Sequence, residues 1–358
     1  MTVHRNVLPD AYRGLSHEEL IARIQQRRDE YGPRLVILGH HYQSDDIVDL
    51  ADFRGDSLAL SRIASEQRDA TFIVFCGVRF MAQTAAALAQ PHQMVVHPDV
   101  DAGCPMADMA TLPDVERTWA QINEVCGTQG VVPVCYVNSD VEIKAFCGRN
   151  SGIACTSSNA PAVFDWAFGR GEKVLFLPDE HLGRNTAKKK GVARNRILLW
   201  DPAQEFGGHT TEEVRDARLI VWKGFCHVHT RFTPQHVQDA RSEYPDARIL
   251  VHPECMEEVV DLADEDGSTQ FIIRYVREMT PGSTLIVGTE INLVSRLARE
   301  HPDKRIVPLA RSLCPNMFRI SLNDLLWTLD HLGEVNVVTV PEAEREQAKV
   351  ALDRMLNL

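Results

Sequence analysis

The 358-residue chain has no continuous apolar run of about 18 residues, so no part of it is expected to span a membrane. Its opening residues, MTVHRNVLPDAYRG, place no apolar stretch behind the basic positions; a secretory leader is not expected, and the protein is read as cytoplasmic. Basic charge is not in excess. Lys and Arg number 38 against 50 Asp and Glu, a formal net charge of −12, which argues against non-specific nucleic-acid binding. A pocket for small anions stays compatible with that balance, because local charge can oppose the global one. The chain has no CxxC, which weakens zinc-ribbon and thioredoxin-like readings. Neither GxGxxG nor a Walker-A loop occurs, so nucleotide enzymes of those kinds are poor candidates. No Pro/Ser-rich or low-complexity stretch marks a linker.

What is present is ordinary globular composition, 44% apolar and 25% charged, in a chain long enough for two or three domains. Its nine cysteines are an odd number and, with no leader expected, read as reduced thiols. Cys76, Cys126, Cys135, Cys147, Cys155 and Cys255 read as small core residues. The other three have a positional meaning that internal similarity brings out.

Three segments open with an apolar run ending in a polar pair: LVILGHHY (35–42), VVPVCYVN (131–138) and RILVHPE (248–254). Runs of this length rich in Val, Ile and Leu suit buried parallel strands. The pairs His40/Tyr42, Tyr136/Asn138 and His252/Glu254 are two apart, on one side of an extended chain. His41 alternates to the other side and reads as structural. Each run leads into a helical pattern (DDIVDLADF, SDVEIKAF, CMEEVVDLA). A hydroxyl cluster then opens a second helix: GDSLALSRIA, TSSNAPAVFDWAF and GSTQFIIRYV. Second apolar runs follow, and Ser57 to Gly77, Ser158 to Pro178 and Ser268 to Gly288 are each 20 residues.

Each unit closes on a cysteine: Cys104, Cys226 or Cys314. The middle unit is longer, and its basic stretch AKKKGVARNR reads as a solvated insertion. Strands alternating with helices predict an α/β fold. The expectation is three similar α/β/α sandwich domains with parallel sheets around a pseudo-threefold axis, the active site at the centre. The domains would comprise residues 1–104 with 315–358, 105–226 and 227–314. The tail, a helix (SLNDLLWTLDHL), a strand (VNVVTV) and a helix from Pro341, is expected to pack on the first.

One cysteine per unit at a common centre gives three thiolates, enough to hold a [4Fe–4S] cluster with one iron open as a Lewis acid. At this point the chain resembles the quinolinate synthase family. The resemblance rests on GHHYQ, GDSLALS, DAGCPMADM, YVNSDVEIKA, CTSSNA, the Cys226–His227 pair, HPEC, GST, GTE and ARSLCPNM, spread over about residues 35–318. It implies an oxygen-sensitive [4Fe–4S] cluster on Cys104, Cys226 and Cys314. It also implies condensation of iminoaspartate with dihydroxyacetone phosphate to quinolinate, with loss of phosphate and water, for NAD synthesis. An aspartate-oxidising flavoenzyme, L-aspartate oxidase, is implied as the source of the imino acid. Two departures stand out: FCGRNSGIA lengthens the loop before CTSSNA, which leaves Ser157 and Ser158 as alternatives, and the CxxCxxC of some members is absent.

Among the strand-end pairs, Tyr42, His40, His252 and Glu254 are the candidate proton-transfer groups. Tyr136 and Asn138 offer hydrogen bonds suited to carboxylates without adding charge near neutral pH. His40, His227, His252 and Glu254 join them as substrate contacts. Ser57, Ser157, Ser268 and Thr269 read as helix caps whose first-turn N–H groups also favour anions. Lys144 reads as a surface or salt-bridge residue. Two rival readings remain. His227 and His229, two apart, could join His252 and Glu254 in a zinc hydrolase site, or a cluster could serve only as a sensor. Anaerobic purification should give brown protein with matched iron and sulfide; colourless protein containing zinc would favour the hydrolase.

Overall fold

A run that is apolar at every position is buried on both faces only within a sheet covered by helices, and such runs here become parallel strands. The computed structural model describes residues 8–127 and 130–358. Residues 1–7, part of the opening stretch read above for a leader, and residues 128–129 lie outside the described residues. No described helix is long and apolar enough to cross a membrane.

The strands form three sheets in which every strand pairing is parallel. The first contains β1 (Leu35–His40), β2 (Phe53–Gly55), β3 (Phe72–Cys76) and β4 (Met94–Val96), in the order β2-β1-β3-β4. The second contains β5 (Val131–Tyr136), β6 (Ile153–Cys155), β7 (Lys173–Leu177), β8 (Ile197–Trp200) and β9 (Leu219–Trp222), in the order β6-β5-β7-β9-β8. The third contains β10 (Arg248–Val251), β11 (Glu265–Asp266), β12 (Thr284–Gly288) and β13 (Arg305–Pro308), in the order β11-β10-β12-β13. In each sheet the opening strand lies between the next two, so the repeat seen in the sequence is a repeat of topology. The extra length of the middle unit is edge strand β8 with its flanking turns and the short helix Thr211–Asp216.

The chain forms two compact units, residues Met1–Cys104 with Cys314–Glu342, and Pro105–Leu313 with Ala343–Leu358. In the first, helices His17–Tyr31 and Leu322–Asp330 share one core with the sheet through Ile24, Ile37, Val74, Leu325 and Leu326. Asp330 anchors that pairing by accepting from Arg23 at 2.8 Å and Arg27 at 2.6 Å. In the second unit, Phe232, Val237, Ile249, Val251, Val259 and Ile286 make the core beside the third sheet.

The same backbone problem recurs at each opening strand. In the first sheet the Asp52 carboxylate accepts from Ile37 N–H at 2.7 Å and pairs with Arg28. In the third, Asp264 accepts from Ile249 N–H at 2.7 Å and pairs with Arg241. The middle repeat places Pro133 at this position, with no N–H to satisfy. There the following chain packs directly on the strand, and a Cβ on Gly152 would lie 2.1 Å from Pro133 O.

Three expectations change. The run VNVVTV forms only an antiparallel bridge, Val337 against Val96, added to the edge strand β4. The final helix, Glu342–Leu356, belongs to the second unit rather than the first: Arg354 donates to Gly152 O at 2.5 Å and Asn159 to Met355 O at 3.3 Å. The basic stretch is not simply solvated, because it ends helix Glu180–Lys189 and meets carboxylates of the third repeat. Lys188 reaches Asp261 at 2.5 Å and Glu257 at 3.3 Å, and Lys189 reaches Asp266 at 2.6 Å. The final helix is seated so closely that a Cβ on Gly148 would fall 1.8 Å from Gln347 O. Gly148→Ala is therefore expected to cost about 1–3 kcal/mol through overpacking. Urea denaturation reads that loss, and an unchanged midpoint would refute this docking.

Candidate active site

Strand register makes the repeats comparable residue by residue. His40 stands opposite Gly55, Tyr136 opposite Cys155, and Val251, just before His252, opposite Asp266. His40, Tyr136 and His252 are therefore equivalent strand ends, and Ser57, Ser157 and Thr269 are equivalent two residues beyond the paired position. In the first repeat capping falls one residue earlier than Ser57, whereas Ser268 caps the third as the sequence suggested. Asp56 accepts from Ala59 N–H at 2.9 Å, Ser268 accepts from Phe271 N–H at 3.3 Å, and Thr156 and Asn159 close the corresponding turn. The cap must hold an extended backbone, as Asp56 and Ser268 do; Ser57 and Thr269 are already the first helical residues. Ser57 and Ser157 are thus not side-chain caps. The 20-residue intervals also mix positions, since Val251 pairs with Gly288 where Gly39 pairs with Cys76. The true counterpart of Gly77 is Thr289.

That register carries chemistry in the second unit. Tyr136 donates its hydroxyl to Glu254 Oε1 at 2.5 Å. His229 Nδ1 lies 3.1 Å from Glu254 Oε2, and its Nε2 lies 3.2 Å from Thr289 Oγ1. A carboxylate facing Nδ1 assigns the proton to Nδ1, so Nε2 accepts from the threonine hydroxyl. His252 stacks on His229 with ring centroids 4.3 Å apart. Its Nδ1 accepts from Glu254 N–H at 3.3 Å, which puts the proton on Nε2. In the first unit His40 Nδ1 accepts from Tyr42 N–H at 3.1 Å in the same way, and the two rings meet edge to face at 4.9 Å.

Tyr136, His229, His252, Glu254 and Thr289 are all buried. Burial opposes ionisation of Glu254, but the facing His229, the bonds from His229 and Tyr136, and nearby His252 outweigh it and hold the carboxyl below its ordinary range. Burial and the neighbouring His229 push His252 down to about 3, so it stays neutral. Asn138 Oδ1 and His227 Nε2 are buried with no hydrogen-bond partner among the described residues. Such atoms suit polar groups of a ligand.

Cys76, Cys135, Cys147, Cys155 and Cys255 are buried as expected, and burial pushes the Cys76 thiol up to about 12. Cys126, read as core, is only half-buried at the end of its helix. Cys104, Cys226 and Cys314 are half-buried too, and each opens a turn. The Cys226 carbonyl accepts from His229 and Thr230, that of Cys314 from Met317 and Phe318, and Cys104 precedes helix Pro105–Asp108. Partly exposed thiols at the start of turns fit thiolate ligation better than sealed ones do. Ligand atoms of Cys226, His229 and Glu254 also lie within 4.8 Å of one another, close enough to hold one metal ion.

Residues 227–230 form turns, and His229 joins Glu254 while His227 does not share its bonds. In the sequence His229 stands out only as a zinc-site candidate, and Thr289 only within the GTE motif. Lys144 is wholly buried, not a surface residue, and donates to Ser139 O.

A family profile described as Quinolinate synthetase A protein matches residues 22–357. Curated relatives named quinolinate synthase are similar over nearly the whole chain. The Corynebacterium glutamicum protein is 46% identical, covering 99% of this chain and 91% of the relative. That of Rhodopirellula baltica is 47% identical, covering 96% and 92%. The Bacillus subtilis protein is 44% identical, covering 99% and 97%.

Burial lowers His97 and His181 to about 4, as it lowers His252 to about 3. A base whose folded pKa is depressed adds stability that is complete above its ordinary value of 6.5 and is lost as the pH falls through the folded value. Stability should therefore drop between pH 7 and 5, at up to about 1.4 kcal/mol per pH unit for each proton. Urea midpoints at the two pH values test this, and equal midpoints would contradict it.

Proposed function

The chain belongs to the quinolinate synthase family, and from that premise we propose that it condenses iminoaspartate with dihydroxyacetone phosphate to quinolinate, releasing phosphate and water. The observation that best supports this reading is the buried Tyr136–Glu254–His229 network, with Cys226 within ligand distance of two of its members. In this proposal Cys104, Cys226 and Cys314 hold a [4Fe–4S] cluster. When bound, such a cluster supplies a Lewis-acidic iron with an open position towards hydroxyl and carboxylate groups.

The chain's own residues do the rest. Asn138 donates through its amide nitrogen to a carboxylate and accepts from an amine through an oxygen that no described residue occupies, and the Tyr136 hydroxyl oxygen, its proton given to Glu254, accepts from the amine as well. Ser57, Ser157, Ser268 and Thr269 offer hydroxyls at helix starts, where backbone N–H groups favour phosphate and carboxylate. His252, neutral, presents its Nε2–H as a hydrogen-bond donor to a substrate oxygen, while Glu254, kept ionised, accepts a proton. His40 and Tyr42 pass protons during isomerisation and ring closure, and His227 contacts substrate through its Nε2. We place the reaction in the cytoplasm, supplied with imino acid by L-aspartate oxidase. We also keep three domains with boundaries after residues 104, 226 and 314, the last helix going with the second.

A second reading, a single metal ion on Cys226, His229 and Glu254, is favoured only by their mutual distance. Anaerobically reconstituted protein given dihydroxyacetone phosphate and freshly generated iminoaspartate should form quinolinate. Cys226→Ala should lose both cluster iron and turnover, whereas Cys126→Ala should retain them. Full cluster occupancy in Cys226→Ala would overturn the ligand assignment, and parent protein carrying the cluster yet forming no quinolinate would overturn the reaction.

A further inference from the structure

Glu254 sits in a tight turn, in which Cys255 N–H returns to His252 O at 3.0 Å. The two carbonyls flanking it, those of Pro253 and Cys255, both point to one side chain from the preceding repeat. Asn185 donates its Nδ2 hydrogens to Pro253 O and Cys255 O, each at 2.9 Å. Asn185 is 2% exposed and lies in helix Glu180–Lys189. That helix is fixed at its start by Asp179, which accepts from Leu182 N–H at 2.6 Å, and at its end by the lysine pairs to Glu257, Asp261 and Asp266.

We infer that Asn185 is a positioning residue, which locks the 253–255 backbone so that the Glu254 carboxylate meets Tyr136 and His229. The inference rests on the reading of Glu254 as a reacting group. The second repeat then holds Glu254 twice, by the Tyr136 hydroxyl on the carboxylate and by the Asn185 amide on the backbone. A primary amide is suited to this place because it offers two donors from one atom. Leucine would fill the space without donating, and aspartate would set acceptors against acceptors. With the carbonyls released, the turn can rotate and carry Oε1 away from Tyr136. Misplacement of a reacting group by about 1 Å costs on the order of 100-fold in rate.

The test uses the anaerobically reconstituted protein and its Asn185→Leu, Asn185→Asp, Lys188→Ala and Glu254→Gln variants. Lys188→Ala breaks surface ion pairs of the same helix without touching the turn, so it reports on helix attachment alone. Both Asn185 variants should lose about 10–100-fold in kcat, as supporting residues of a site typically do. KM for dihydroxyacetone phosphate and iron content should stay within about threefold of the parent, on the same reasoning. Amide hydrogen exchange in the peptide after His252 should quicken in the Asn185 variants and not in Lys188→Ala. If Asn185→Leu does not fold, Asn185→Ser, smaller and still a single donor, takes its place with an intermediate loss. Normal kcat in the Asn185 variants beside inactive Glu254→Gln would overturn this inference alone. A loss of kcat that Lys188→Ala shares, in step with melting temperature, would reduce Asn185 to a structural link. Full turnover in Glu254→Gln would instead overturn the reading of the site and the inference with it.

Discussion

An ionised carboxylate wholly buried in protein costs several kcal/mol unless donors surround it, and that constraint governs the second unit. Glu254 meets it with a hydroxyl from β5, an imidazole from the turn after Cys226 and a backbone held from helix Glu180–Lys189. None of these partners is local to it. The second and third repeats must therefore keep a fixed register for the charge to be tolerated at all. The lysine pairs along the same helix are partly exposed, and such pairs contribute little individually. The buried amide and phenol set the register.

The three sheets show how one topology accepts different solutions to one problem. Each opening strand must satisfy a backbone N–H beyond its own ladder. Two repeats do so with an aspartate paired to an arginine of the preceding helix. The third removes the donor with Pro133 and lets Gly152 close the gap. At the strand ends the pattern is again two against one: His40 and His252 hold the same tautomer through a backbone N–H two residues on, and Tyr136 stands in the third place with its hydroxyl committed to Glu254. Burial sorts the cysteines likewise. Five are sealed in the core, and the three that close the repeats stay half-buried at the start of turns, as Cys126 does at the end of its helix.

Much of this was legible in the sequence, because its signals are local. Apolar runs of strand length, helical periodicity after each, polar pairs at spacing two and a closing cysteine gave the order of elements and the strand-end residues. Short elements were less legible: β2, β6 and β11 are two or three residues long and leave almost no periodic trace. The cap of the first repeat was misplaced by one residue, because Asp56 and Ser57 are both acceptable cap types and only backbone conformation separates them.

The sequence by itself determined the α/β class, the threefold internal repeat, the cysteine in each repeat and the membership in one enzyme family, all carried by residues close along the chain. Tertiary structure alone decided which distant groups meet. Asn185 reaches carbonyls 68 and 70 residues away, Tyr136 reaches a carboxylate 118 away, Lys144 is sealed inside, and the last helix docks on the second unit. Contacts at that range have no period and no fixed spacing. They exist only once the helices are seated on the sheets and buried polar atoms must find partners.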